Sequence, residues 1–261
     1  MSYEPPAPEL RPEEAAADVV AAEWSRRTQA EYTSAAIAHQ VTLWLIQVGG
    51  PPDLIRDGLR IVDDELAHSE LSAGVMAATG GTCAPPVIDR ASLILPGGPD
   101  PSTALVSSVV RYFCVGETVA VPLFRMLRER CSVPKARRAL DRVMRDEPRH
   151  RQFGWDVLDW LLLGDEDSVV GLATRDLPAV LAAVDAAYGP SAGDQAPGDQ
   201  APGDQPPGDQ APGDQPSGLS PDLLAWGLAG RPEYARTLST CLAHEVLPRF
   251  AARGVTVASS T

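Results

Sequence analysis

Glu65 and His68 stand three residues apart in the stretch DDELAHSEL, and Glu147 and His150 repeat that spacing in DEPRH. Residues three apart on an α-helix project from one face, so each pair offers a carboxylate and an imidazole to a single point. A hard oxygen donor beside a borderline nitrogen donor suits iron, manganese or zinc. One Glu-x-x-His is a weak signal, because so short a motif needs its structural context before it counts. Two copies, each preceded by an aspartate (Asp64 and Asp146) and each inside an apolar helical pattern, carry more weight.

The elements that must position these residues follow from proline, glycine and the apolar pattern. Residues 1–11 read as a disordered N-terminus, and Pro12 with Glu13 and Glu14 starts a helix in which the acids face the positive end of the dipole. From there to about Val48 the chain lacks Pro and Gly and reads as one long helix, which the breaker Gly49-Gly50-Pro51-Pro52 ends. Asp53 opens a second helix to about Thr79, and residues 80–100 carry too many Gly and Pro for anything but a long crossover. Asp100 and Pro101 cap a third helix to about Cys131, and Ser132 to Pro134 turn into a fourth ending near Gly164. The expected fold is all-α: a four-helix bundle over 12–164, two helical hairpins joined by the crossover. Residues 165–188, with Pro178 inside, read as a less regular helical tail. Residues 189–220 repeat Gly-Asp-Gln five times at a period of five, have almost nothing apolar to bury and read as a disordered linker. Residues 221–261 contain an amphipathic stretch, Pro221 to Arg253, that should return as a C-terminal helix and pack on the bundle.

In two helical hairpins, residues that meet must lie at equal distances from the turn. The midpoint between Glu117 and the Glu147/His150 pair falls at Val133, and that between Glu31 and the Glu65/His68 pair falls at Gly49; both are in expected turns. Glu31 and Glu117 each interrupt an apolar face, Glu31 with Trp24, Ala35, Ala38 and Leu45, Glu117 with Val110, Cys114, Val121 and Phe124. An ionised carboxylate on a core-facing stripe costs on the order of several kcal/mol unless it is paired or bound to metal. Two divalent cations would neutralise four glutamates, which makes Glu31, Glu65, His68, Glu117, Glu147 and His150 a six-ligand, two-metal site. Asp64 and Asp146 are assigned to the layer behind it, each holding the ring N–H of the histidine in the opposite hairpin; the other reading of both is a solvated surface acid.

The order Glu, DExxH, Glu, DExRH resembles the ferritin-like superfamily of di-iron carboxylate proteins. More narrowly, EYTS at 31–34, VGGPPDLI at 48–55, CVGET at 114–118 and DEPRH followed by GWDVLDWLL resemble bacterial ferritin-like domain proteins. The resemblance covers roughly residues 12–164. It implies a ferritin-like bundle holding two iron ions, with manganese or a mixed manganese and iron pair as variants, and in many relatives the activation of dioxygen or peroxide. Pro148 inside the second motif and Pro122 one turn beyond Glu117 depart from the pattern. Each removes an intrahelical hydrogen bond, so helices 3 and 4 should bend near the site and the second metal position should be reshaped or partly lost.

The formal net charge of −13 argues against broad nucleic-acid binding, which needs a basic surface. The four cysteines (83, 114, 131, 241) lack Cys-x-x-Cys spacing and read as reduced thiols. The acidic, proline-rich N-terminus is no signal peptide, and the apolar run Val41 to Val48 is too short to span a bilayer, so a cytoplasmic protein without membrane contact is expected. Smaller assignments are Cys114 as a core residue or a neighbour of the site, His39 and His244 as ordinary polar positions, and Gly154, Ser34, Ala35, Ser72 and Ala120 as small residues that either leave room beside the ligands or let helices pack closely. The arginine-rich tip from Arg125 to Arg142 is a docking surface for an electron-donor protein or simply a solvated helix end. The leading functional expectation is an oxidoreductase that activates dioxygen or peroxide to oxidise a small substrate. A ferroxidase or iron-handling protein and a non-catalytic, metal-stabilised binding module are the alternatives, with a homodimer the assembly considered.

Overall fold

Proline and glycine set the helix ends. In a computed structural model of the protein, residues 14–82, 86–88, 100–189 and 219–257 are described. The expectations for the N-terminal segment, the GDQ repeat and most of the crossover fall outside them. The first helix, α1 (Glu14–Gln47), stops where Gly49 adopts a left-handed φ of 76°, with the Gly50 amide donating back to the Leu45 carbonyl at 2.7 Å. Such a turn needs a residue without a Cβ. Pro52 then opens α2 (Pro52–Ala78), which returns along α1. The pair is closely packed: a Cβ on Gly58 would lie 2.2 Å from Thr42 Oγ1.

The third helix, α3 (Pro101–Arg130), is capped by Asp100, whose carboxylate accepts from the Thr103 amide at 2.8 Å. It packs along α4 (Pro134–Gly164), and α2 also packs on α4. By length and composition α3 could cross a membrane, unlike the run at 41–48; its apolarity reflects a position in which 67% of the window is buried inside the molecule. Among the described residues there is no strand, and the fold is all-α.

The fifth helix, α5 (Glu166–Tyr188), is more regular than expected, because Pro178 lies on its exposed face. Val169, Ala173, Leu177 and Val180 stay in the core. Residues 221–253 do not form one helix. A short α6 (Pro221–Ala225) breaks at Gly227, whose φ is 80°, and α7 follows over residues 231–251. Trp226 and Phe250 anchor this region: Trp24 Nε1 donates to the Trp226 carbonyl at 3.1 Å, and Phe250 meets Trp155 edge-on at 4.9 Å.

Candidate metal centre

Each Glu-x-x-His presents both side chains to the interior, one from α2 and one from α4, and α1 and α3 contribute one glutamate each. Two sets of donor atoms result. Glu31, Glu65, His68 and Glu147 offer atoms all within 4.8 Å of one another, and so do Glu65, Glu117, Glu147 and His150. Glu65 and Glu147 belong to both sets. His68 and His150 are fully buried. All six residues proposed from the sequence as ligands are therefore brought together among the described residues.

Both imidazoles are oriented alike. His68 Nδ1 lies 3.7 Å from Glu65 Oε2 and 3.8 Å from Glu31 Oε2, and His150 Nδ1 lies 2.9 Å from Glu65 Oε1. Their Nε2 atoms point away from the glutamates: His68 Nε2 is 3.2 Å from Asp146 Oδ2, and His150 Nε2 is 3.3 Å from Asp64 Oδ2. Each aspartate thus meets the histidine of the other helix pair. An ionised carboxylate only accepts, so Nε2 carries a proton, and Nδ1, which faces the glutamates, is the atom that offers a lone pair once the ring is neutral.

Arginines of α4 hold the aspartates in turn. Arg142 bonds both Asp64, at 3.0 Å, and Asp146; Arg149 bonds Asp64; and Arg145 reaches Asp146 at 3.3 Å. The sequence places Arg142 in the arginine-rich tip, read as a docking surface or simply a solvated helix end. Its position four residues before Asp146 on one helix face puts it behind the site instead, a role that the spacing Arg142, Asp146, Arg149 could have suggested. Much of the remaining tip is also paired internally, with Arg128 on Asp141 at 2.6 Å, Arg130 on Glu233, and Arg137 on the Cys131 carbonyl at 3.1 Å.

Electrostatics separate the two layers. Burial would raise both aspartates, but hydrogen bonds from His150 and Arg149 to Asp64, and from Arg142 and His68 to Asp146, bring them below the usual carboxylate range. Burial opposes a charge on the histidines, yet the glutamates around His68 push it up to about 11, and Asp64 and Glu65 push His150 up to about 10. Burial raises Glu31 to about 7 and lifts Glu117 and Glu147 as well; burial would raise Glu65 too, but the two imidazoles that face it outweigh burial and lower it to about 2. Without a cation, protons must balance this cluster.

The inner atoms are poorly satisfied by the protein. Glu65 Oε2, Glu147 Oε2, His68 Nδ1 and His150 Nδ1 are buried without a hydrogen-bond partner; the 2.9 Å approach of His150 to Glu65 is short enough for one but misaligned. Buried polar atoms are nearly always satisfied, and exceptions call for a specific reason. Four carboxylates and two imidazole lone pairs converging in two overlapping groups are a donor set that fits two divalent cations.

The backbone beside Glu117 has a feature that the prolines did not announce. α3 winds as a π-helix over Val109–Glu117 and resumes α geometry at Thr118. Wide turns of this kind concentrate at functional sites and re-aim the residues that follow. The helix continues through Pro122, and the Thr118 carbonyl, whose α-helical partner Pro122 cannot supply, accepts from Cys241 Sγ at 3.4 Å. Likewise α4 continues through Pro148, which lies on its exposed face, and Glu147 and His150 remain in the donor set.

Gly154 belongs to packing rather than to open space: a Cβ there would lie 2.5 Å from Phe113 Cβ and 2.8 Å from the Phe113 carbonyl carbon. Cys114 joins neither donor set and donates to the Gly154 carbonyl at 3.3 Å. His39 and His244 are exposed, as is Asp53 at the start of α2, and Asp57 is partly exposed. Ser72 and Ala35 are buried, whereas Ser34 and Ala120 are partly exposed. Comparisons of the chain with protein-family models, with curated proteins and with solved structures found no match.

Proposed function

We propose that the chain is a ferritin-like di-metal carboxylate protein in which α1, α2, α3 and α4 form the four-helix bundle, and that it works as a non-haem di-iron oxidoreductase. The observation that carries this reading is the pair of overlapping donor sets with Glu65 and Glu147 common to both. A glutamate from each of two helices and a Glu-x-x-His from each of two others is the general ligand plan of such centres. Glu31 and His68 would hold one cation, Glu117 and His150 the other, and Glu65 and Glu147 would serve both.

Bound as iron, with manganese or a mixed pair as variants, the two ions would supply electrons for reducing dioxygen or peroxide while a small substrate is oxidised. The chain's own residues do the rest. Asp64 and Asp146 keep the proton on each Nε2 and so hold Nδ1 ready as a ligand atom. Arg142 and Arg149 keep both aspartates ionised and in place. Complete burial of the two imidazoles keeps water from competing at Nδ1.

The test is the metal content of protein from iron-supplemented cells, with its optical spectrum after reduction and on re-exposure to air. About two irons per chain and a spectrum that changes with oxygen are expected. Absence of metal, together with unchanged stability in Glu65→Ala and Glu147→Ala, would overturn the reading.

A further inference from the structure

A cavity of about 180 Å³ lies between α1 and α3 and is bordered by the end of α5 and by α7. Its body is apolar, formed by Val119, Leu123 and Phe124 of α3 among others, and Ala120 sits on the same wall. Four charged residues of α1 line it: Glu31, a member of the first donor set, and further along the helix Arg27, Arg26 and Glu23, with both arginines paired to the Glu23 carboxylate. Arg27 and Glu31 are four residues apart, which is about 6 Å along a helix and keeps them on one face. One cavity therefore joins the candidate metal centre to a guanidinium.

Arg27 is 8% exposed and incompletely used. Its Nε donates to Glu23 Oε1 at 2.9 Å and its Nη2 to the Gly227 carbonyl at 2.9 Å, and its carbon lies 4.5 Å over the Trp24 ring, which fixes the guanidinium plane. Nη1 is buried and has no hydrogen-bond partner. The Tyr234 phenol is within electrostatic reach of the cation but gives Nη1 no aligned hydrogen bond. Tyr234 stacks on Tyr188 at 5.9 Å, and both rings border the cavity. A buried cationic donor without an acceptor is costly, and a carboxylate is the acceptor that fits a guanidinium edge most strongly.

Size limits the rest of the ligand. An apolar cavity of about 150 Å³ holds a benzene molecule, so this one holds a single ring with a small head group. We propose that the cavity is the substrate chamber of the di-metal centre and takes a small monocyclic carboxylic acid, its carboxylate on Arg27 Nη1 and its ring against Val119, Leu123 and Phe124. This rests on the di-metal reading and adds to it the class of substrate.

The probes are benzoate and benzamide, which share a shape and differ in charge. Binding to the full chain is measured by calorimetry, in metal-loaded and metal-stripped protein, with metal content determined on every sample. Benzoate should bind at least about tenfold more tightly than benzamide in both states, as expected for one charge-assisted hydrogen bond. Arg27→Met should remove that preference, and Ala120→Leu, which fills the chamber and replaces no ligand residue, should weaken both probes by about tenfold or more. If Arg27→Met does not fold, the native preference and Ala120→Leu still decide.

Equal affinity for the two probes, no binding of benzoate, or benzoate binding that Ala120→Leu leaves unchanged would overturn the proposal. A preference seen only with metal bound would mean that benzoate ligates the metal, and would overturn it too. Two metals per chain with no benzoate preference sink the chamber and leave the di-metal reading standing. Selective benzoate binding by a chain that takes up no metal supports the acid site and removes the centre it was meant to serve.

Discussion

The two halves of the candidate centre use the same residue types at the same spacing, yet their surroundings differ. In the half built on Glu31 and His68, the lone glutamate sits on regular α1 and borders an apolar cavity. In the half built on Glu117 and His150, the lone glutamate closes a π-helical stretch, and α4 presses on that stretch so closely that only Gly154 fits. The imidazoles are held identically, each by an aspartate from the other helix pair. Equivalent ligands thus coexist with unequal packing. Glu31 lies on a cavity wall, whereas the stretch that carries the partly exposed Glu117 is braced by backbone contact.

The strongest way to break this comparison is to remove the residues that the halves share. Glu65→Ala and Glu147→Ala should each abolish stable binding of both metals, whereas Glu31→Ala and Glu117→Ala should each leave about one per chain. Elemental analysis of the four variants checks it, and a single metal retained in Glu65→Ala would show that the halves do not share that ligand.

Next in size is the pH dependence of metal-stripped protein, because several groups act in one direction. Glu31 is raised to about 7, and Glu117 and Glu147 are raised too, so the stability that their neutral forms contribute is present below about pH 4.5 and is lost as pH rises through their folded values. His68 and His150 are raised to about 11 and about 10; their contribution is complete below about pH 6.5 and is lost as pH rises toward those values. The depressed Asp64, Asp146 and Glu65 oppose this only in acid, where protonation removes their contribution as pH falls through their folded values. Metal-stripped protein should therefore unfold at lower denaturant at pH 8 than at pH 5, while metal binding, which displaces these protons, should strengthen over the same interval. Equal midpoints at the two pH values would contradict the charge assignment.

The packing difference predicts a smaller, one-sided effect. Gly154→Ala places a methyl against the Phe113 backbone and should cost about 1–3 kcal/mol in denaturant unfolding. Smaller still are the outer residues. Asp146→Ala should weaken metal binding at the His68 half and Asp64→Ala at the His150 half, by about 10–100-fold each, read by chelator competition. Equal weakening of both halves by either variant would mean that the outer layer acts through overall charge rather than through individual imidazoles.

Much of the site was legible in the sequence because a helix converts spacing into direction. The two Glu-x-x-His pairs, the lone Glu31 and Glu117 on apolar faces, and the turns at Gly49 and Val133 needed only the helical repeat and the behaviour of Gly and Pro. The all-α class followed from the same features. Local rules went astray where a distant partner supplies what the local chain lacks. Pro122 suggested a gap in the helix's hydrogen bonding, but the Thr118 carbonyl it frees accepts from Cys241, 123 residues later in the chain. Arg142 suggested a solvated tip, but Asp64 on another helix engages it.

By itself, then, the sequence determined which residues can be ligands and which helix faces carry them, since both depend on contacts between near neighbours along the chain. Tertiary structure alone decided the rest: the sharing of Glu65 and Glu147, the π-helical approach to Glu117, the arginine layer behind the aspartates, and the cavity joining Arg27 to Glu31. Each of these depends on groups far apart in sequence, whose meeting is set by how the helices pack and not by the repeat of any one of them.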